Sequence, residues 1–253
     1  MCLSRRSRIQ SVPIFQDSSP ERGRRHRRSG VSMLPLSMLL VPLLAFACNG
    51  GGSSPTDPAP RVGGSGNFVT QSRSVSGFNG VSLTSSGTLL IEQTGSESLT
   101  ITAEDNILPL LRSDVVGGQL ILGPLPGDVI RGGERVYDVT VRNLNEVSTG
   151  SASTVEVRRI DTPRLDVIVA PVTTMTIAGS ADEQDIDISG PSSYEAAELQ
   201  SRVVRINATG PSRTTLRVSG RLEVTISLPA IVEYFGDPVV SMTGNGTVRR
   251  VGN

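Results

Sequence analysis

A short unit recurs through the second half of this chain. It consists of two alternating apolar residues, a Ser, Thr or Ala, then Gly and a small residue. Copies run Met175-Thr176-Ile177-Ala178-Gly179-Ser180, Ile186-Asp187-Ile188-Ser189-Gly190-Pro191, Ile206-Asn207-Ala208-Thr209-Gly210-Pro211 and Met242-Thr243-Gly244-Asn245-Gly246. A degenerate copy, Val224-Thr225-Ile226-Ser227-Leu228-Pro229, precedes the last, and an earlier one ends at Thr149-Gly150-Ser151. Copies recur at roughly 16 to 20 residues, with one short and one long interval, a period suited to one turn of a solenoid.

The spacing has a direct physical reading. A short strand turns alternate residues inward, Gly permits the positive-φ corner, and the next strand runs along another face. No single turn can bury its own apolar side, so turns must stack, with backbones ~4.8 Å apart. Residues 67–253 show β texture throughout: Val81 and Leu83, Leu89 to Ile91, Leu99 and Ile101, Leu120 to Leu122, Val139 and Val141, Leu165 to Val169. Period two with β-branched residues marks strands. The best helical windows, Ile107 to Arg112 and Tyr194 to Ser201, allow one or two turns each. The fold expected is all-β, a single-stranded β-helix of about nine turns and ~45 Å, with a β-sandwich as the alternative.

Ahead of this domain, Met33 to Ala47 is apolar and ends at Cys48, followed by Asn, Gly, Ser, Pro and Asp. The run is shorter than the ~20 residues of a membrane span and contains Pro35 and Pro42. Ala45-Phe46-Ala47-Cys48 resembles a bacterial lipobox, which makes Cys48 the expected site of lipidation and residues 33–47 the signal peptide. An ordinary signal peptide cut at the same place is the alternative. Residues 1–32 form an Arg-rich leader, and translation starting nearer Met33 would explain its length. Residues 48–66 form a Gly/Ser/Pro tether of coil composition.

Beyond the signal peptide, 16 Arg stand against 22 acidic residues, near −6, with no Lys and no His. A mildly acidic surface offers no footprint for a phosphate backbone, so nucleic acid is not an expected partner. Without His or Lys there is no Ser-His-Asp machinery, imidazole metal site or Schiff base. No cofactor or metal is expected, and a domain without disulfides must hold by packing alone.

The order of motifs resembles one family. Arg73-Ser74-Val75-Ser76-Gly77-Phe78-Asn79-Gly80-Val81, then Leu99-Thr100-Ile101 leading to Asn106-Ile107-Leu108-Pro109, then Gly118-Gln119-Leu120-Ile121, is similar to the opening of the putative auto-transporter adhesin head GIN domain family. Its Gly-Ser-Gly turns match Gly150, Gly179, Gly190 and Gly210. Its closing motif matches Tyr234-Phe235-Gly236-Asp237-Pro238 followed by Gly244 and Gly246. The resemblance implies a head of pectin-lyase-like, right-handed β-helical architecture on an envelope protein, and it brings no catalytic residues. Two departures stand out: Ser227-Leu228-Pro229 replaces a Gly turn, and Gly179 to Gly190 is short for a turn.

Three groups of side chains invite chemistry. Asp182, Glu183, Asp185 and Asp187 offer hard oxygens for Ca²⁺, although Asp185 and Asp187 alternate as the outer face of a strand. Arg158 with Arg159, and Arg249 with Arg250, suit anionic glycans, while Tyr234 and Phe235 suit a sugar ring or the packing of the last turn. The expected function is a non-catalytic, lipid-anchored outer-membrane head that binds a surface, glycan or protein ligand as an adhesin. The alternatives are a polysaccharide-active enzyme using Asp161, Arg164 and Asp166, and a periplasmic sensor or assembly factor.

Overall fold

In the computed structural model, residues 61–252 are described; the signal peptide, Cys48 and most of the tether lie outside them. The first part of the head is built from short strands: β1 (Arg61–Gly63), β2 (Phe68–Arg73), β3 (Gly80–Leu83), β4 (Gly87–Gln93) and β5 (Ser98–Glu104). A 3₁₀ turn at Leu108–Leu110 leads to β6 (Leu111–Val116), β7 (Gln119–Pro124), β8 (Val129–Arg131), β9 (Val136–Val141) and β10 (Glu146–Thr149). Four long strands follow: β11 (Ser153–Val169), β12 (Thr173–Ser189), β13 (Ser193–Thr209) and β14 (Arg213–Ile226). The last turns are β15 (Ile231–Phe235), β16 (Val239–Gly244) and β17 (Thr247–Gly252).

These strands stack as a β-solenoid. One side runs β9-β4-β11-β12-β13-β14-β15-β17, and the other runs β7-β3-β10-β11-β12-β13-β14-β16. Each long strand contributes to both sides, bending between them. All pairings are parallel except β2 with β5, β5 with β9 and β6 with β7. That pattern excludes the β-sandwich, whose sheets are antiparallel.

Inward columns carry the core. Val167, Ile186, Ile206 and Val224 lie in one register, Val169, Ile188, Ala208 and Ile226 in another, and all are buried. Fully burying one Val or Ile contributes about 1.5–3 kcal/mol, so the column spanning all turns is what makes each turn stable.

The stack has about five turns, not nine. Residues 68–149 do not make successive full circuits: their strands are short, reverse direction at β5 and β6, and enter the stack out of chain order, β4 lying between β9 and β11. Tyr194 to Ser201, a window that allowed one or two helical turns, is part of β13, because Tyr194, Ala196 and Leu199 are needed in the core. Ile107 to Arg112 yields only the 3₁₀ turn. Arg61–Gly63, assigned by composition to the tether, pairs with β8.

The short interval between Gly179 and Gly190 is also explained. Gly179 pairs with Ile160 and Leu199 in mid-turn, whereas Gly190 sits at the next corner, under Gly210. The true repeat is Gly190 to Gly210, one full turn. Gly179 has φ +135°, and a Cβ there would collide with the Ile160 carbonyl.

Candidate functional site

Register places outward side chains in columns that cross the turns. One column is Asp161, Ser180, Gln200, Arg217 and Phe235. Beside it stand Asp182, Arg202 and Ser219, also facing out. Ser180, Gln200, Arg217, Asp182, Arg202 and Ser219, with Gly236 and Asp237, line a groove of about 580 Å³.

The groove is internally braced. The Arg202 guanidinium donates to both carboxylate oxygens of Asp182, at 2.9 and 3.0 Å. Those hydrogen bonds hold the Asp182 carboxyl below its usual range and raise Arg202. Arg217 donates from Nε to the Ala197 carbonyl at 2.8 Å, and its guanidinium carbon lies 5.0 Å from the centroid of the Phe235 ring. That is cation–π range. Asp237 pairs with Arg250 at 3.2 Å. The surface offered is hydroxyl, amide and fixed guanidinium, with carboxylates already matched by cations.

A second, smaller groove of about 290 Å³ lies on the β16 side, lined by Asp185, Asp187, Arg205, Asn207, Glu223 and Thr225 among others. It is an ion ladder. Arg164 pairs with Asp166 at 3.1 Å and Asp185 at 2.5 Å; Arg205 reaches Glu183, Asp185 and Glu223 at 3.4, 3.6 and 3.4 Å. Asn207 donates to Asp187 at 3.1 Å. The acidic run 182–187 is thus shared among arginines and an amide of the neighbouring turns. The 20-residue repeat brings them together, and no local spacing could reveal it.

The other sequence candidates separate. Asp161 stands on the groove column, its N–H donating to Gln93 Oε1 at 3.1 Å, whereas Arg164 and Asp166 belong to the ladder. Arg158 pairs with Glu156 and Arg159 with Glu92. Arg249 pairs with Glu233, and Arg250 with Asp237. Tyr234 packs against the core beside Leu216, while Phe235 lies under Arg217. Gly150 approaches the Thr84 backbone, Gly236 that of Val218 and Gly244 that of Ile226. Gly246 faces the Ile226 side chain, and Pro238 links β15 to β16. Cys48 lies outside the described residues.

Arg217 and Gln200 escaped the sequence reading. They carry no local motif, and only the register of β13, β14 and β15 aligns them with Phe235.

No helix among the described residues is long and apolar enough to cross a membrane. No curated protein matches the chain. Among solved structures, a putative adhesin from Bacteroides fragilis NCTC 9343 is similar, with TM-score 0.62 and 20% identity, over 75% of this chain and 100% of that one. A putative adhesin from Parabacteroides merdae ATCC 43184 follows at TM-score 0.52 and 19% identity, over 76% and 100%. A protein from Parabacteroides distasonis ATCC 8503 described as a putative lipid binding protein has TM-score 0.50 and 17% identity, over 76% and 100%. At such identities these likenesses establish the fold. The model of one family, putative auto-transporter adhesin, head GIN domain, matches residues 77–238, most of the head, and the chain belongs to that family.

Proposed function

We propose that this is a non-catalytic cell-envelope protein, anchored in the outer membrane by lipid on Cys48, whose solenoid head binds a surface glycan or protein as an adhesin. The observation that carries the reading is the groove across β12 to β15, where Gln200, Ser180 and Ser219 stand beside guanidinium groups fixed by Asp182 and Phe235. Such a polar, pre-organised strip suits many weak contacts, multiplied by many copies on one membrane. Family membership supports the same reading.

Electrostatics supports a binding rather than a catalytic role. A general acid at neutral pH needs a carboxyl raised toward 7. Asp105, Asp182 and Glu233 are instead held below their ordinary range by hydrogen bonds, from Ser65, Arg202 and Arg249 respectively. Arg164 and Asp166 are tied to each other and to Asp185, which leaves them poor candidates for attacking a polysaccharide.

The test has two arms. Cells carrying Cys48→Ser are fractionated; partition with membranes unchanged from wild type sinks the anchor. Purified chain is screened against neutral and anionic polysaccharides and against whole-cell envelopes, with depolymerisation followed in parallel. Binding reduced at least tenfold by Gln200→Ala with Arg217→Ala is expected. Turnover abolished by Asp161→Ala or Arg164→Ala would establish the enzyme instead.

A further inference from the structure

The groove across β12 to β15 owes its form to a step in the solenoid wall. Ala196 of β13 pairs with Leu216 of β14, yet Gln200 pairs with the very next residue, Arg217. Ala197 to Leu199 therefore have no paired counterpart on β14, and the circuit is shorter there. Arg217 reaches back to that shoulder through its hydrogen bond to the Ala197 carbonyl. The next turn brings Gly236, whose φ of +100° and close approach to the Val218 carbonyl leave no room for a side chain. The groove thus runs across four strands, parallel to the solenoid axis.

Its chemistry narrows the ligand. Arg202 and Arg217 stand against Asp182 and Asp237, so the charges of the lining cancel and a polyanion gains no net attraction. Ser180, Gln200 and Ser219 are exposed along it, with hydroxyl and amide groups that both donate and accept. Val218 is the one hydrophobic side chain of the lining, and it is buried. A peptide would find neither an apolar anchor pocket nor a free backbone edge, because β12, β13, β14 and β15 each pair with a strand on both sides.

Periodicity supplies the rest. Ser180, Gln200 and Arg217 follow one another at the strand spacing of ~4.8 Å. An extended β-1,4-linked sugar chain advances by nearly that distance per ring and presents hydroxyls at each one, whereas α-1,4-linked chains coil away from so straight a track. We propose that the groove binds an uncharged β-1,4-linked glycan laid along the solenoid axis, one sugar per turn and about four sugars in all. This inference rests on the reading of the groove as the adhesive site and fixes its ligand class.

Isothermal titration of the purified chain with cello- and chito-oligosaccharides of two to six sugars tests it. Affinity should rise about tenfold from two sugars to four and change less than about twofold from four to six. It should hold within about twofold between ~50 and ~500 mM salt, since contacts without net charge are not screened. Oligomannuronate, β-1,4-linked but anionic, and malto-oligosaccharides, neutral but α-linked, should bind about tenfold more weakly or worse. Ser180→Trp, at the β12 end of the track, should bring the four-sugar affinity down to the three-sugar value with the circular dichroism spectrum unchanged. The length series on the parent chain decides the matter even if that variant fails to fold. Tighter binding of oligomannuronate, equal binding of malto-oligosaccharides, an affinity independent of length, or no binding of either β-1,4 series would overturn the ligand class. The groove would still stand as the adhesive site if envelope binding were lost on Gln200→Ala with Arg217→Ala. Cello- or chito-oligosaccharide binding indifferent to that pair of changes would overturn both readings.

Discussion

The Tyr194 hydroxyl donates to Gln184 Oε1 at 2.8 Å inside the solenoid, and neither side chain reaches solvent. Gln184 Nε2 in turn donates to Ser201 Oγ at 2.5 Å. This chain of polar groups ties the middle of β12 to β13 amid aliphatic columns. Buried amides are tolerated only when satisfied, so each member depends on the others.

Tyr194→Phe removes the donor and strands the Gln184 oxygen. The expected loss is about 1–3 kcal/mol in urea unfolding. Gln184→Met combined with Tyr194→Phe should cost less than the sum of the two single changes, because both partners of that bond go together. Additive losses would mean that the two side chains do not act as a pair.

Alkaline stability follows from the same burial. Desolvation raises the Tyr137 hydroxyl from 10.0 to about 12, and Tyr194 higher still. Above pH 10 the unfolded chain releases these protons while the folded chain keeps them. Stability that is flat with respect to these groups below pH 9 should therefore fall between pH 10 and 12, by up to about 1.4 kcal/mol per pH unit for each tyrosine. Denaturant titrations at pH 8, 10 and 11 check this, and Tyr194→Phe should remove its share of the slope.

Two positive-φ positions give opposite predictions for glycine. Val172 holds φ +66° on an exposed turn, a conformation costing a β-branched residue about 1–2 kcal/mol. Val172→Gly relieves it and loses little burial, so after glycine's extra unfolded-state entropy the head should gain about 0.5–1 kcal/mol. Gly179→Ala should do the reverse, losing about 2–4 kcal/mol, since its Cβ meets the fixed Ile160 carbonyl. Thermal unfolding of the two variants separates the effects by sign.

Those two positions also show what the sequence made legible. Alternation with Gly punctuation identified strands and a solenoid, because inward residues and positive-φ corners are local requirements. Turn number was not legible: Gly179 and Gly190 carry the same motif but mark two points on one turn. Nor were the reversed strands, since Leu99 and Ile101 alternate alike whether the neighbouring strand is parallel or antiparallel. Tyr194 to Ser201 reads as helix by propensity, and the core's need for Tyr194 and Leu199 overrides it. The groove is a product of register, so Gln200, Arg217 and Phe235 become neighbours only once the turns are stacked.

Glu233 offers the last test, at acid pH. Its carboxylate, 8% exposed, sits between Arg213 at 2.6 Å and Arg249, whose own side chains are 54% and 57% exposed. Hydrogen bonding from Arg249, then the charge of Arg213, holds the carboxyl below its ordinary 4.5. A depressed folded-state value means that the stabilisation is present above pH 4.5 and is lost as pH falls through the lower, folded value. Both guanidinium groups are well solvated, so the contribution is discounted to about 1 kcal/mol. Glu233→Gln should then be less stable than the parent by about that amount at pH 7, and the gap should close toward pH 3. Salt at 1 M should narrow the gap at pH 7, because the screening length there shrinks to ~3 Å and the arginines are exposed to it. A difference that persists unchanged at pH 3 would assign Glu233 a packing role rather than an ionic one.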